Sequence, residues 1–139
     1  MLPFLVEIKS GESASAQVVY SATRAILSGE LRAGQSFPSV RELSQELKIN
    51  PNTAHKIVAE LVRDGLLEVK PGVGTVVATV QSDDTDAQYQ TVEDMVEGLL
   101  VEARRAGMGK IELLGMVSEQ WKVLFGSSTS RKNRRTNDD

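Results

Sequence analysis

The sequence has no cysteine, one histidine, one tryptophan and only 4% aromatic residues among its 139 positions. Without cysteine there is no disulfide framework, no thiolate metal site and no thiol nucleophile. The absence fits a reducing compartment. The lone histidine, His55, has no partner for a histidine-rich metal site, so neither a metal nor a cofactor is expected. No run approaches the roughly 18 consecutive apolar residues of a transmembrane helix. The apolar start, Met1 to Ile8, carries Glu7 and lacks a basic leader, so it does not read as a secretory signal. A soluble, cytoplasmic protein without a membrane partner is expected. An excess of positive charge is also missing: 16 Lys and Arg stand against 19 Asp and Glu, for a net charge of -3. Taken alone, that balance argues against a nucleic-acid partner, because phosphate binding rests largely on lysine and arginine.

The charge that is present is unevenly placed. The polar run Gln81-Ser82-Asp83-Asp84-Thr85-Asp86 divides the chain. Residues 1–79 carry eight basic and eight acidic side chains, residues 80–126 four basic and nine acidic, and residues 127–139 four basic and two acidic. The acidity therefore belongs to the middle-to-late segment. The last segment holds Arg131-Lys132-Asn133-Arg134-Arg135 and has no apolar residue after Phe125. It cannot bury enough surface to offset its ordering entropy, so disorder is expected there. Its basic cluster reads either as a solvated tail or as a nucleic-acid contact. Three regions follow: 1–80, 81–126 and a basic tail, 127–139.

Within the first region, Phe4-Leu5-Val6-Glu7-Ile8 reads as a short strand or an apolar arm. Val18, Ala22, Ala25 and Ile26 recur at helical spacing and predict a helix over about 13–28, ended by Gly29. Ser39 and Glu42 form an S-x-x-E capping box at the start of a short second helix, about 39–47, with Val40, Leu43 and Leu47 on one face. Asn50 is a good N-cap, and Pro51 suits the first helical position. A third helix runs to about Arg63. Its residues Ala54, Ile57, Val58, Leu61 and Val62 make one buried stripe. Two short helices joined by a tight turn match a helix-turn-helix. Strands over 66–69 and 75–78, joined by Lys70-Pro71-Gly72-Val73-Gly74, complete a winged helix.

With its stripe facing the core, the third helix leaves a polar face free: Asn50, Asn52, Thr53, His55, Lys56 and Glu60. Short or bidentate polar side chains at a helix N-terminus are what the major groove requires. The helix dipole and the amides of Asn52 and Thr53 favour a phosphate oxygen. Arg41 projects towards the backbone from the second helix. Lys70 and the Gly72 turn let the wing approach a phosphate or the minor groove. Plainer readings stand beside these: a simple helix start at Asn50, an ordinary exposed His55, solvated Lys56 and Lys70, and a Gly72 that serves only its turn.

The string Ile26-x-x-Gly29-x-Leu31-x-x-Gly34-x-x-x-Pro38-Ser39-x-Arg41-Glu42-Leu43 is continued by Leu47-x-Ile49-Asn50-Pro51-Asn52-Thr53. It goes on with Leu61-x-x-x-Gly65-Leu66-Leu67 and Gly72-x-Gly74-Thr75-x-Val77. In these residues the chain resembles the GntR family of bacterial transcription regulators over about residues 13–79. Asn50-Pro51-Asn52-Thr53 resembles the YtrA-like subfamily in particular. The resemblance implies DNA contact by Arg41, Thr53 and Gly72. It carries over no arginine contact at Pro51 or His55, where other members have Arg. Ser15 departs from the tyrosine common in the family.

The acidic segment predicts two further helices. Thr91-Val92-Glu93-Asp94 caps the first, with Val92, Met95, Val96, Leu99, Leu100 and Ala103 as its stripe, ending at Gly107. Gly109 opens the second, with Ile111, Leu114, Val117, Trp121, Leu124 and Phe125. A two-helix hairpin with this much apolar surface calls for a partner. The plainer reading folds it back on its own winged helix. The resemblance implies that Val92, Met95, Val96, Leu99, Leu100, Leu114, Val117 and Trp121 form a homodimer contact.

The expected fold is mainly α with a small β-hairpin: an N-terminal winged helix-turn-helix and a C-terminal two-helix dimerisation hairpin. The expected function is a sequence-specific DNA-binding regulator, a repressor, acting as a homodimer on a palindromic double-stranded operator. The resemblance implies control of a transporter operon and leaves room for a small-molecule effector that the sequence does not identify. The alternative is a winged helix used for protein contacts without DNA. No nucleophile–base pair and no phosphate-cradling glycine loop is present, so an enzyme is not expected.

Overall fold

The computed structural model describes residues 1–7, 9, 11–80 and 86–126. The basic tail 127–139, its expected disorder included, lies outside the described residues. The chain divides into two units, Met1–Gln81 and Ser82–Asp139.

The first unit is built by helix signals that act locally. Helix α1 spans Ala14–Leu27, with the Ser13 hydroxyl accepting from the Ala16 amide. Helix α2 spans Val40–Leu47 and starts at a complete capping box between Ser39 and Glu42. Helix α3 spans Pro51–Arg63, with Asn50 as N-cap and Pro51 in the first turn. Strands β1, Leu67–Lys70, and β2, Gly74–Val77, pair antiparallel, with Leu67 opposite Val77 and Lys70 opposite Gly74. The first strand lies one residue later than its pattern predicts. The Leu66 amide is held by the helix exit, donating to the Leu61 carbonyl at 3.0 Å.

The connector between α1 and α2 adds a short third edge to this sheet. Gly34 N–H donates to the Val77 carbonyl at 2.8 Å, and Phe37 N–H to the Thr75 carbonyl at 2.9 Å. A bridge pairs Ser36 with Val76. One core runs through the unit, from Val18, Ala22 and Ile26 of α1 through Leu43 of α2 to Ala54, Ile57 and Leu61 of α3. These are the apolar positions that the helical spacing selects, and they pack α3 against both α1 and α2. The N-terminal segment is an arm and not a strand. Phe4 is buried and its ring stacks on Phe37, with centroids 5.6 Å apart.

The second unit contains α4, Asp86–Arg105, and α5, Lys110–Phe125. Helix α4 begins well before Thr91. Asp86 suits the positive end of the helix, and Ala87, Gln88 and Gln90 are good helix formers. The Thr91 hydroxyl does not cap; it donates back to the Ala87 carbonyl at 3.0 Å, inside the helix. The connector is a Schellman cap. The Met108 amide donates to the Ala103 carbonyl at 2.9 Å and the Gly107 amide to the Arg104 carbonyl at 3.0 Å. Gly107 adopts the left-handed conformation, φ 80°, that this cap needs.

The two helices follow one another across this connector. Among the described residues of this unit only Ala103 and Leu113, on either side of the connector, are buried, and α4 and α5 do not pack along their lengths.

Candidate nucleic-acid interface

The free face of α3 is set by its buried one. With Ala54, Ile57 and Leu61 in the core, Asn52, His55 and Lys56 stand exposed on the opposite side and Thr53 lies half-buried at the edge. Asn50 is exposed at the tip. Arg41 is exposed on the first turn of α2, directly after the capping box. Lys48 closes α2 in the left-handed conformation, φ 55°. α2 and α3 pack together, so the helix-turn-helix presents these groups from one rigid pair.

Lys70 ends β1, and the wing turn follows it. The Val73 amide donates to the Lys70 carbonyl at 3.0 Å, closing a four-residue turn with Pro71 second and Gly72 third. Gly72 has φ 78°, the positive angle that the third position of a type II turn demands. No side chain at Gly72 stands between the wing backbone and whatever approaches it.

Arg41, Lys48, Lys56 and Lys70 take part in none of the ion pairs among the described residues. They are exposed cations free to meet an external anion. Among the described residues no group of His, Asp and Glu is placed to hold a metal ion. No helix among them is long and apolar enough to cross a membrane.

The amides at the start of α3 differ from expectation in one respect. The Asn52 amide is already taken, donating to Asn50 Oδ1 at 2.8 Å. Pro51 has no N–H, and the Ala54 amide is held by the Asn50 carbonyl at 3.0 Å. Of the amides of Asn52, Thr53 and Ala54, that of Thr53 is the one left to an anion.

In the second unit, Val92, Met95, Val96, Leu99, Leu100, Leu114, Val117 and Trp121 are all exposed, from 44% at Leu99 and Val117 to 70% at Met95. Apolar side chains exposed along a helix to this extent exceed the scattered ones of an ordinary soluble surface. The Trp121 and Phe125 rings meet edge to face, with centroids 4.9 Å apart.

Two features were not singled out from the sequence. The buried Gln17 clamps the N-terminal arm: its carbonyl accepts from the Lys9 amide, and its amide donates to the Lys9 carbonyl at 3.1 Å and the Glu12 carbonyl at 3.2 Å. A polar residue beside Val18 on the core side of α1 is the signal that could have marked it. The wing also carries two exposed valines, Val69 on β1 and Val73 in the turn.

The pattern described as "Bacterial regulatory proteins, gntR family" matches residues 14–77. The HTH-type transcriptional regulator YhcF of Bacillus subtilis, strain 168, is 32% identical over 85 residues, 61% of this chain and 70% of that one. The HTH-type transcriptional repressor YtrA of the same organism is 29% identical over 93 residues, 66% of this chain and 72% of that one. Among solved structures, a transcriptional antiterminator from Listeria monocytogenes EGD-e superposes with a TM-score of 0.74 at 23% identity. That superposition covers 88% of this chain and 92% of the other, a likeness of fold.

Proposed function

The chain belongs to the GntR family of bacterial regulatory proteins, transcription regulators and not enzymes, and from that premise we propose a sequence-specific DNA-binding repressor. In this reading it works in the cytoplasm as a homodimer on a palindromic operator. One observation carries the proposal most: the exposed face of α3 and the first turn of α2 gather polar and cationic side chains with no ion-pair partner. α3 enters the major groove, with Asn52, His55 and Lys56 along its first turns and Thr53 at the edge. The Thr53 amide and Arg41 take phosphate oxygens on either side of it. Lys70 and the Gly72 turn bring the wing to the flanking backbone.

Residues 1–80 form the DNA-reading part and residues 81–126 the dimerisation part. The exposed stripes of α4 and α5 support the second assignment, since a partner copy of the same chain covers them by two-fold symmetry. Half-sites then lie about one helical turn, ~10 base pairs, apart. The YtrA-like tetrapeptide Asn50-Pro51-Asn52-Thr53 makes a transporter operon the first place to look for the operator. A gel-shift titration on the protein's own promoter region tests the reading. Binding that is specific and weakens steeply with salt is expected. Binding that is insensitive to salt, or equal on unrelated DNA, overturns it.

A further inference from the structure

We propose that Asn52 reads an adenine on the floor of the major groove, one in each half-site, and that Asn50 does not. This rests on the operator reading above and names the base that one side chain selects.

The core decides which way α3 is turned. Ala54, Ile57 and Leu61 are fully buried. At about 100° per residue they lie roughly 200°, 140° and 180° round the helix from Asn52. Asn52 therefore stands opposite the core, at the middle of the free face. By the same spacing His55 lies about 60° to one side of it and Lys56 about 40° to the other. An α-helix with its side chains is about as wide as the major groove, ~12 Å, so its outermost line meets the base edges and its flanks meet the two backbones. Ala59 lies within about 20° of that line, roughly two turns on. It is exposed and ends at its methyl group, so it does not hold the helix off.

What each side chain has left to offer then selects the base. Adenine presents an acceptor, N7, beside a donor, the N6 group. Meeting both at once takes one donor and one acceptor side by side in a plane. Asn50 Oδ1 is engaged by the Asn52 amide at 2.8 Å. Asn52 Oδ1 and Nδ2 have no partner among the described residues. On the same face Lys56 only donates, Glu60 only accepts, and the Thr53 hydroxyl works from a single atom. His55 carries its two nitrogens on different edges of the ring and cannot turn both to one base. Asn52 holds the one carboxamide left free on this face.

The position is also rigid. Pro51 fixes the backbone dihedral before it, and the cap bond holds its amide. Binding has only the side-chain torsions of Asn52 left to order.

Double-stranded oligonucleotides selected from a random pool by the full-length chain supply the half-site for the test. Each adenine of one half-site is replaced in turn by 7-deazaadenine, which keeps its pairing and its N6 group but lacks the N7 acceptor. At one adenine the wild-type chain should lose about 2- to 12-fold in affinity, the scale of one hydrogen bond. Asn52→Ala should lose about 5- to 150-fold per half-site on the unmodified DNA, the scale of a bidentate pair. It should also become indifferent to the replacement at that adenine, the non-additivity of groups in contact. Asn52→Asp keeps the shape but offers acceptors only, so a repeated selection should change the preferred base there from adenine to cytosine. Asn52 is exposed, so both variants should keep the wild-type thermal transition, and the 7-deazaadenine series on the wild-type chain needs no variant. A wild-type chain sensitive at no adenine overturns the assignment, as does an Asn52→Ala chain that keeps every wild-type sensitivity. The operator reading survives both results, since sequence-specific binding remains. A pool that yields no preferred sequence ends that reading and this assignment with it.

Discussion

The two units of this chain solve the same problem in opposite ways. In the first, the apolar residues spaced along α1, α2 and α3 meet one another, and the core is complete within 81 residues. In the second, equally regular stripes on α4 and α5 stay exposed, and among the described residues only Ala103 and Leu113 are buried. Amphipathic periodicity announces that a face will be buried, but it does not say in what. The reading unit supplies its own cover. The second unit carries apolar stripes that its own described residues leave uncovered. If the homodimer proposed above forms, the stability of the second unit rises with concentration while that of the first does not.

Removing the second unit should give the largest effect. A chain ending at Gln81 is expected to remain folded and monomeric, with a cooperative thermal transition by circular dichroism. Its operator affinity should fall by about 10²–10⁴-fold, because two tethered half-site contacts become one. If the shortened chain unfolds, the first unit is not self-sufficient and the contrast fails. Leu61→Ala breaks the other side of the comparison. Emptying a fully buried position on α3 should destabilise the first unit by about 2–5 kcal/mol in urea titrations.

Arg41→Ala should separate the units functionally. Operator affinity is expected to fall about tenfold, the scale of one charge-assisted hydrogen bond, with sedimentation unchanged. Lys48→Gly should act with opposite signs on folding and binding. It relieves about 1 kcal/mol of left-handed strain at φ 55° and deletes a cation from the turn. A rise in melting temperature with weaker DNA binding is the expected pair of results. The smallest effect belongs to Lys56→Ala, which should lower the slope of log affinity against log salt by about 1. An unchanged slope removes Lys56 from the phosphate contacts.

Most of the reading unit was legible because its signals are local. Ser39 with Glu42, Asn50 with Pro51 and the Gly72 turn each act within four residues, and the structure uses each of them as its chemistry predicts. The start of α4 was misread because Thr91 has two local options, capping or bonding back to Ala87, and the helix-forming run before it decides between them. The Gln17 clamp and the pairing of Gly34 and Phe37 with β2 join residues distant in the chain, and no short pattern encodes them. The two C-terminal helices are legible from their apolar stripes and the glycines between them, but such a pattern does not say what covers the stripes.

The cap at the head of α3 restricts what its first residue can say. Asn50 Oδ1 is engaged by the Asn52 amide, so the part of the side chain turned to the solvent is its –NH₂ group. Paired two-point recognition of adenine asks an asparagine to accept and donate together. Here acceptance is already spoken for by the helix, and adenine would have to share that oxygen or undo a cap whose loss costs about 1 kcal/mol. As a donor alone, Asn50 addresses a guanine edge, a thymine O4 or a phosphate without disturbing the helix it begins. The requirement of starting a helix thus narrows what Asn50 can offer to any base edge it meets.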